Sequence, residues 1–306
     1  MRIVVGTRGS RLALVQTNLV ANSLKLKHPD LEIIIKKVVT AGDRDRLTHL
    51  DRIGTNVFVK ELEEALLDGK IDLAVHSLKD VPSELPNGLS LIAVAKREDP
   101  RDVLVAKASL SDLSPGSKIG TGSLRRSIQL ETIRPDLETC SIRGNVNTRL
   151  VKIDSGEIDG VILAAAGLKR LGWQGKIVQY LQPENFLPAA GQGALVVEAR
   201  LKDKEIIGLV LTINHLPTWY CVTAERTFLR EIGGGCRAPI ASLGIIEGNT
   251  LRLKGMVASP IEKKMLRDSI EGDYTSAEKL GMKLARRMIK IGASEFITEA
   301  RSNEIR

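Results

Sequence analysis

Three glycines before a cysteine and an arginine after it, Gly233-Gly234-Gly235-Cys236-Arg237-Ala238-Pro239, give this chain one thiol that side chains hardly crowd. Glycines remove the Cβ atoms on the N-terminal side, so a bulky group can approach the sulfur. The neighbouring guanidinium and nearby backbone N–H groups favour the thiolate, which is the nucleophilic form. Cys236 therefore reads as an attachment point. The alternative is a glycine-rich turn that ends in a small buried cysteine. The other two cysteines, Cys140 in a strand-like run and Cys221 in an amphipathic helix, read as packing residues, and irregular spacing without a C-x-x-C pair argues against disulfides and zinc.

A second candidate is His76-Ser77-Leu78-Lys79-Asp80-Val81-Pro82. It follows the apolar run Ile71 to Val75 and so lies at the carboxyl end of a parallel strand, where open α/β sheets bind ligands. Asp80 is suited to stabilising positive charge on a reacting group and to handling protons. Its alternative is a surface ion pair with Lys79. For His76 the simpler reading is a hydrogen-bonded structural histidine, and four histidines in the chain form no visible metal cluster.

Arginines form the third group. From Lys118 to Lys152 there are seven Lys/Arg against three Asp/Glu. Arg125 and Arg126 follow Ile119-Gly120-Thr121-Gly122-Ser123, while Arg143 and Arg149 flank Gly144-Asn145. Guanidinium groups do not lose their charge, so this set requires carboxylates or phosphates. The stretch Ile119 to Arg126 echoes Val5-Gly6-Thr7-Arg8-Gly9-Ser10, each placing Gly, Thr and Ser between a strand and a helix. Helix starts with small hydroxyl residues and an arginine suit anions, and the recurrence predicts two similar lobes facing one another across a cleft. Neither stretch has the spacing of a nucleotide-binding loop.

These residues need elements to hold them. At 306 residues the chain is long enough for two or three domains. Strands are predicted at Ile3 to Val5, Glu32 to Val39, Ile71 to Val75, Leu89 to Ala95, Asp102 to Val105, Ile119 to Gly120, Glu138 to Ile142, Val161 to Ala164 and Ala194 to Glu198, with helices between most of them, so the class is α/β. The first helix is expected to be capped by Ser10 and to bury a stripe of Leu12, Val15 and Leu19. Pro100 and Pro188 punctuate crossings between the lobes, and Gly191-Gln192-Gly193 precedes a strand that returns to the first. After Thr218 a helix, Trp219 to Ile232, leads to the Cys236 segment. Strands at Ile240 to Ile246 and Leu251 to Val257 follow. A last helix carries Ala277, Leu280, Leu284, Met288 and Ile291 behind a capping box of Thr275 and Glu278.

The net charge of +8 with a pI near 9.4 calls for an anionic partner. With 3% aromatic residues and no recognition motif, nucleic acid is not expected. No apolar run reaches the length of a membrane span. The expectation is a cytoplasmic monomer acting on a small polyanion.

Taken in order along the chain, Thr7 through Ala13, Phe58 through Glu63, His76 through Pro82, Arg97 through Asp102, Gly120 through Arg126, Arg143 through Arg149, Pro188 through Gly193 and Gly234-Gly235-Cys236 resemble the porphobilinogen deaminase (hydroxymethylbilane synthase) family essentially end to end. The resemblance implies two periplasmic-binding-protein-like lobes, 1–96 with 192–215 and 99–188, and a small C-terminal α+β domain, 217–306. It implies a transferase of tetrapyrrole (haem) biosynthesis that condenses four porphobilinogen molecules, each losing ammonia, into hydroxymethylbilane. It implies a dipyrromethane cofactor joined by thioether to Cys236. Arg8, Ser10, Arg125, Arg126, Arg143, Arg149 and Arg170 match carboxylate-binding positions, with Thr121 and Ser123 as hydroxyl and backbone contacts. Lys79 matches a cofactor contact, Phe58 bounds the site, and Asp80 matches the carboxylate that assists loss of ammonia.

The chain departs from the family over residues 42–57, an expected lid, where Ile53-Gly54-Thr55-Asn56-Val57-Phe58 replaces the usual G-G-K-G-L-F and Arg52 supplies some of the missing charge. The rival reading is a two-lobed binder of anionic small molecules without catalysis, since a fold does not fix a function. Such a binder has no need of Cys236.

Overall fold

The computed structural model describes residues 1–39, 59–233 and 238–303. Phe58, Cys236 and the expected lid over 42–57 lie outside them. In chain order the elements are β1 (Arg2–Arg8), α1 (Arg11–Lys27), β2 (Glu32–Val38), α2 (Lys60–Leu67), β3 (Leu73–Ser77), a 3-10 turn (Leu78–Asp80), β4 (Leu89–Val94), β5 (Asp102–Ala106), β6 (Lys118–Gly120), α3 (Leu124–Ile133), β7 (Glu138–Cys140), α4 (Val146–Asp154), β8 (Gly160–Ala164), α5 (Ala165–Arg170), β9 (Gln179–Tyr180) and β10 (Leu195–Arg200). They are followed by α6 (Lys204–Leu211), α7 (Leu216–Ile232), β11 (Ile240–Glu247), β12 (Thr250–Ala258), β13 (Met265–Asp273), α8 (Ala277–Lys290) and α9 (Ala293–Asn303). Among the described residues no single helix is long and apolar enough to cross a membrane.

Two compact units result, Met1–Glu98 with Ala194–Trp219 and Asp99–Gly193 with Tyr220–Arg306. The first unit holds a five-stranded sheet in the order β2-β1-β3-β10-β4. Strands β2, β1 and β3 are parallel, and β10 runs antiparallel between β3 and β4. The second unit repeats the plan in the order β7-β6-β8-β5-β9. There β7, β6 and β8 are parallel and β5 runs antiparallel between β8 and β9. The two segments that echo each other in sequence thus follow equivalent strands, β1 and β6.

The glycines of the echo have a shared packing reason. A Cβ on Gly6 would come within 2.3 Å of Ile71 Cδ1, and one on Gly120 within 2.9 Å of Ile158 Cδ1. Ile71 and Ile158 stand just ahead of β3 and β8, so each unit drives an isoleucine into the space that its central glycine leaves. Val5, Leu73 and Val197 pack with Val20 and Leu24 of α1 on one face of the first sheet, and Leu62, Leu66, Ile71 and Ala74 pack on the other. In the second unit Val103, Val161 and Leu163 meet Leu150 and Ile153 of α4, while Leu104 and Ile162 meet Leu130 of α3. Such two-sided burial is what parallel sheets require.

The second unit also contains the antiparallel sheet β11-β12-β13, packed on α7, α8 and α9 through Phe228, Leu253, Leu284, Met288 and Ile297. Strand β13 carries Asp268, Ser269, Glu271 and Asp273 and keeps one face in solvent, so its sequence hides its pairing.

Two local expectations are corrected. Helix α1 buries Gln16, Thr17, Val20, Ala21 and Leu24, and Leu19 is exposed. The stripe is rotated because Gln16 faces inward to hydrogen bond with Ser77, Nε2 to Oγ at 2.9 Å. Nor do Thr275 and Glu278 form a capping box. Asp273 accepts from the Thr275 amide at 2.8 Å and from its hydroxyl, closing the 3-10 turn Tyr274–Ser276 that precedes α8.

Candidate functional site

In the first unit Arg8 ends β1, and Ser10 caps α1 as expected, its Oγ accepting from the Ala13 amide at 3.2 Å. Strand β3 delivers the 3-10 turn Leu78–Asp80, whose Leu78 amide bonds to the Ala194 carbonyl at 3.0 Å while the Val81 amide closes onto Leu78 O at 3.1 Å. Leu78 is buried, Lys79 is half-buried and Asp80 is exposed. Lys79 and Asp80 do not pair with one another, and Asp80 forms no ion pair among the described residues. The turn therefore presents a carboxylate that no cation among the described residues pairs with. His76 is buried and lies 3.0 Å through Nε2 from Glu198 Oε2.

In the second unit the arginines divide into two kinds. Arg125 and Arg126, on the first turn of α3, are turned inward and buried. Arg125 Nη1 donates to Asp102 Oδ2 and to the Leu187 carbonyl, both at 2.7 Å. Arg126 donates to Asp102 Oδ1 from Nε at 3.0 Å and from Nη2 at 2.6 Å, and to the Ile162 carbonyl from Nη1 at 3.1 Å. Asp102, the first residue of β5, is an internal anion shared by this pair, a partner that the sequence reading did not include. Burial alone would raise the Asp102 carboxyl, but the charges and hydrogen bonds of Arg125 and Arg126 hold it far below the carboxylate range.

Arg149 is the other kind. It sits on α4, whose start is fixed by Asn145 capping the Thr148 amide at 3.0 Å, and its Nε donates to the Gly144 carbonyl at 2.9 Å. Gly144 adopts a φ of 96°, and a Cβ there would lie 2.8 Å from the Thr148 side chain, so this turn needs glycine. Among the described residues Arg149 pairs with no carboxylate. Burial, then the charge of Arg126, pushes its pKa down to about 10. Both causes disfavour the charged form of this partly buried guanidinium.

The second unit also carries other residues singled out in the sequence. Arg143 lies in the turn between β7 and α4, and Arg170 ends α5 with Nη2 donating to the Gly193 carbonyl at 2.7 Å. Thr121 Oγ1 accepts from the Ser123 amide at 3.2 Å. Unlike Ser10, Ser123 stands at the N-cap of α3 without a side-chain capping bond. Burial pushes the Cys140 thiol up, which keeps it protonated, and Cys221 is buried in α7. Sequence reasoning missed Asp102 as the internal anion and the pairing of Glu198 with His76. The available signal was an acid inside an otherwise apolar strand, Asp102 ahead of Val103-Leu104-Val105 and Glu198 after Leu195-Val196-Val197.

The Asp102 site gives a stability prediction. Asp102→Asn leaves two buried guanidiniums without their anion and should lower unfolding free energy by about 3–5 kcal/mol in chemical denaturation. A folded carboxyl held below its unfolded value, 3.8, contributes stability that is complete above that value and is lost as pH falls toward the folded one. The difference between wild type and variant should therefore be flat from pH 5 to 8. A loss below about 1 kcal/mol would contradict the pairing.

Comparison with known proteins gives two family matches. Residues 3–208 match the model described as "Porphobilinogen deaminase, dipyromethane cofactor binding domain", and residues 219–290 match "Porphobilinogen deaminase, C-terminal domain". Proteins named porphobilinogen deaminase from Alkaliphilus metalliredigens, Pelobacter propionicus and Thermus thermophilus are 48%, 46% and 46% identical to this chain. The alignments cover 96%, 98% and 98% of this chain and 94%, 98% and 99% of those proteins.

Proposed function

The chain belongs to the porphobilinogen deaminase family, and from that premise we propose that it condenses four porphobilinogen molecules head to tail, with loss of ammonia, into hydroxymethylbilane. The observation that carries the reading is 46–48% identity over nearly the full length to proteins named porphobilinogen deaminase; Arg149 in the second unit and Asp80 in the first, neither in an ion pair among the described residues, support it. Each pyrrole brings an acetate and a propionate. Fixed guanidiniums recognise such groups by charge-assisted, often bidentate hydrogen bonds.

The donor set fits a dipyrromethane cofactor. Arg149, which pairs with no carboxylate among the described residues, favours an anionic group, and Arg143, Arg170, Thr121 and Ser123 supply further donors, while Lys79 and Cys236 are the proposed contact and attachment residues. When bound, this group supplies the pyrrole terminus that primes chain growth. The protein's own part is to hold carboxylates with Arg8, Ser10, Arg143, Arg149 and Arg170, to bound the site with Phe58, and to place Asp80. Arg125 and Arg126 are further proposed carboxylate contacts, and their bonds to Asp102 fix the start of α3 and so the hydroxyls before it. As ammonia leaves porphobilinogen, positive charge develops on the pyrrole and its exocyclic carbon. A fixed carboxylate stabilises that charge and can take up a proton afterwards.

The test is consumption of porphobilinogen by purified protein with matched release of ammonia and formation of hydroxymethylbilane. Binding without ammonia release would favour the non-catalytic binder. Arg149→Leu removes one carboxylate partner, worth roughly 1.5–3 kcal/mol for a charged hydrogen bond, or about 10- to 150-fold in affinity. Native gels should then show chains stalled at particular lengths. An unchanged ladder and rate would remove Arg149 from the site.

A further inference from the structure

One group of ionisable residues in the first unit is not used by this chemistry. In the register of β3 against β10, His76 is opposite Val196 and Ala74 is opposite Glu198, so His76 and Glu198 point to the same face of the sheet on neighbouring strands. That face also carries the Asp72–Arg200 pair at its other end, and α2 covers it with Leu62 and Leu66. His76 is 5% exposed, Glu198 is fully buried and Glu63 of α2 is 3% exposed. Glu63 Oε1 and Glu198 Oε1 are buried and accept no hydrogen bond from the described residues.

The three groups are electrically coupled. Burial, then the charge of Glu198, raises the Glu63 carboxyl to about 6, with His76 acting in the opposite direction and Glu64 in the same one. Of the other charges on these elements, Glu61 of α2 also has a buried oxygen, Oε2, that accepts no hydrogen bond from the described residues. Asp72 ahead of β3 and Arg200 of β10 face each other at 3.2 Å, and Lys60 and Glu64 pair at 3.8 Å on the exposed side of α2. A buried polar tie of this kind is often no more stabilising than apolar residues of the same volume. Its location suggests a different use. The His76–Glu198 bond crosses the strand pair immediately before the turn that bears Lys79 and Asp80. The backbone anchor of that turn, Leu78 N to Ala194 O, continues the same pairing.

We propose that His76 and Glu198 are positioning residues for the porphobilinogen condensation, a cross-strand tie, backed by Glu63, that fixes the turn on which Asp80 stands. The tie acts through Asp80 and does not touch substrate. This proposal rests on the function given above and on the role assigned there to Asp80.

Kinetics of the full chain with its cofactor attached test it, using His76→Ala, Glu198→Ala and the conservative His76→Gln and Glu198→Gln. Glutamine places an amide nitrogen near the position of imidazole Nε2, and in place of Glu198 it retains an acceptor oxygen. The alanine variants should lose kcat by about tenfold or more with KM for porphobilinogen within about twofold, and the glutamine variants should recover most of kcat. In an Asp80→Asn background His76→Ala should change the residual kcat by less than about twofold, because the residue it positions has lost its function. Should the alanine variants not fold, Glu198→Asp, which keeps the charge but shortens the reach, should show the same kcat loss. Folded variants with wild-type kcat, or a loss that glutamine does not relieve and that adds fully to Asp80→Asn, would overturn the proposal alone. A wild-type protein that consumes no porphobilinogen would overturn the function and the proposal with it.

Discussion

Asp80→Asn should leave the fold and an attached cofactor intact and reduce turnover by about two to four orders of magnitude, the range typical of a lost acid–base group. The side chain is exposed on its turn and forms no ion pair among the described residues, so the amide removes no packing and breaks no brace. What it removes is the negative charge opposite a developing cation and the capacity to take up a proton. Both matter more in the transition state than in the bound substrate, so kcat should fall while KM changes little. Steady-state ammonia release, with the melting temperature as a control for folding, measures both parameters. Wild-type turnover in a folded variant would remove Asp80 from the chemistry.

Cys236→Ser should give a folded protein with no stable pyrrole adduct and little or no hydroxymethylbilane. A serine hydroxyl is a far weaker nucleophile at neutral pH than a thiol flanked by glycines and a cation. Cys140→Ala and Cys221→Ala should keep both adduct and activity. Cys140 is half-buried with its thiol pushed up by burial, and Cys221 is packed among Ala224, Phe228 and Ile240. Peptide mapping of the wild type locates the adduct. An adduct on Cys140 or Cys221 would refute the assignment.

Features set by neighbours in sequence were the most legible. The Ser10 cap, the strands that begin at Glu32, Leu89 and Asp102, and the echo between Gly6 and Gly120 all follow from local residue types. The echo also carried topological information, because it marks equivalent strands in two sheets built on one plan. The roles of Arg125 and Arg126 were less legible. Their partner Asp102 is more than 20 residues away in a different element, β5, and nothing local distinguishes an arginine turned inward from one turned outward. The Glu63, His76 and Glu198 cluster draws on α2, β3 and β10 and exists only once the sheet is assembled. Strand β13, charged on its exposed face, and the rotated face of α1 were obscured for the same reason: tertiary packing overrode the local pattern.

The central claim is that this protein builds a pyrrole chain on a primer fixed to its own cysteine. Intact-protein mass spectrometry of the purified wild-type protein tests it most directly. The account predicts an excess over the polypeptide mass equal to a dipyrromethane, resistant to thiol reductants because a thioether has no disulfide to reduce, and further increments of one pyrrole unit when porphobilinogen is added. A protein at the bare polypeptide mass that nevertheless makes hydroxymethylbilane, or an adduct that a reductant releases, would contradict it.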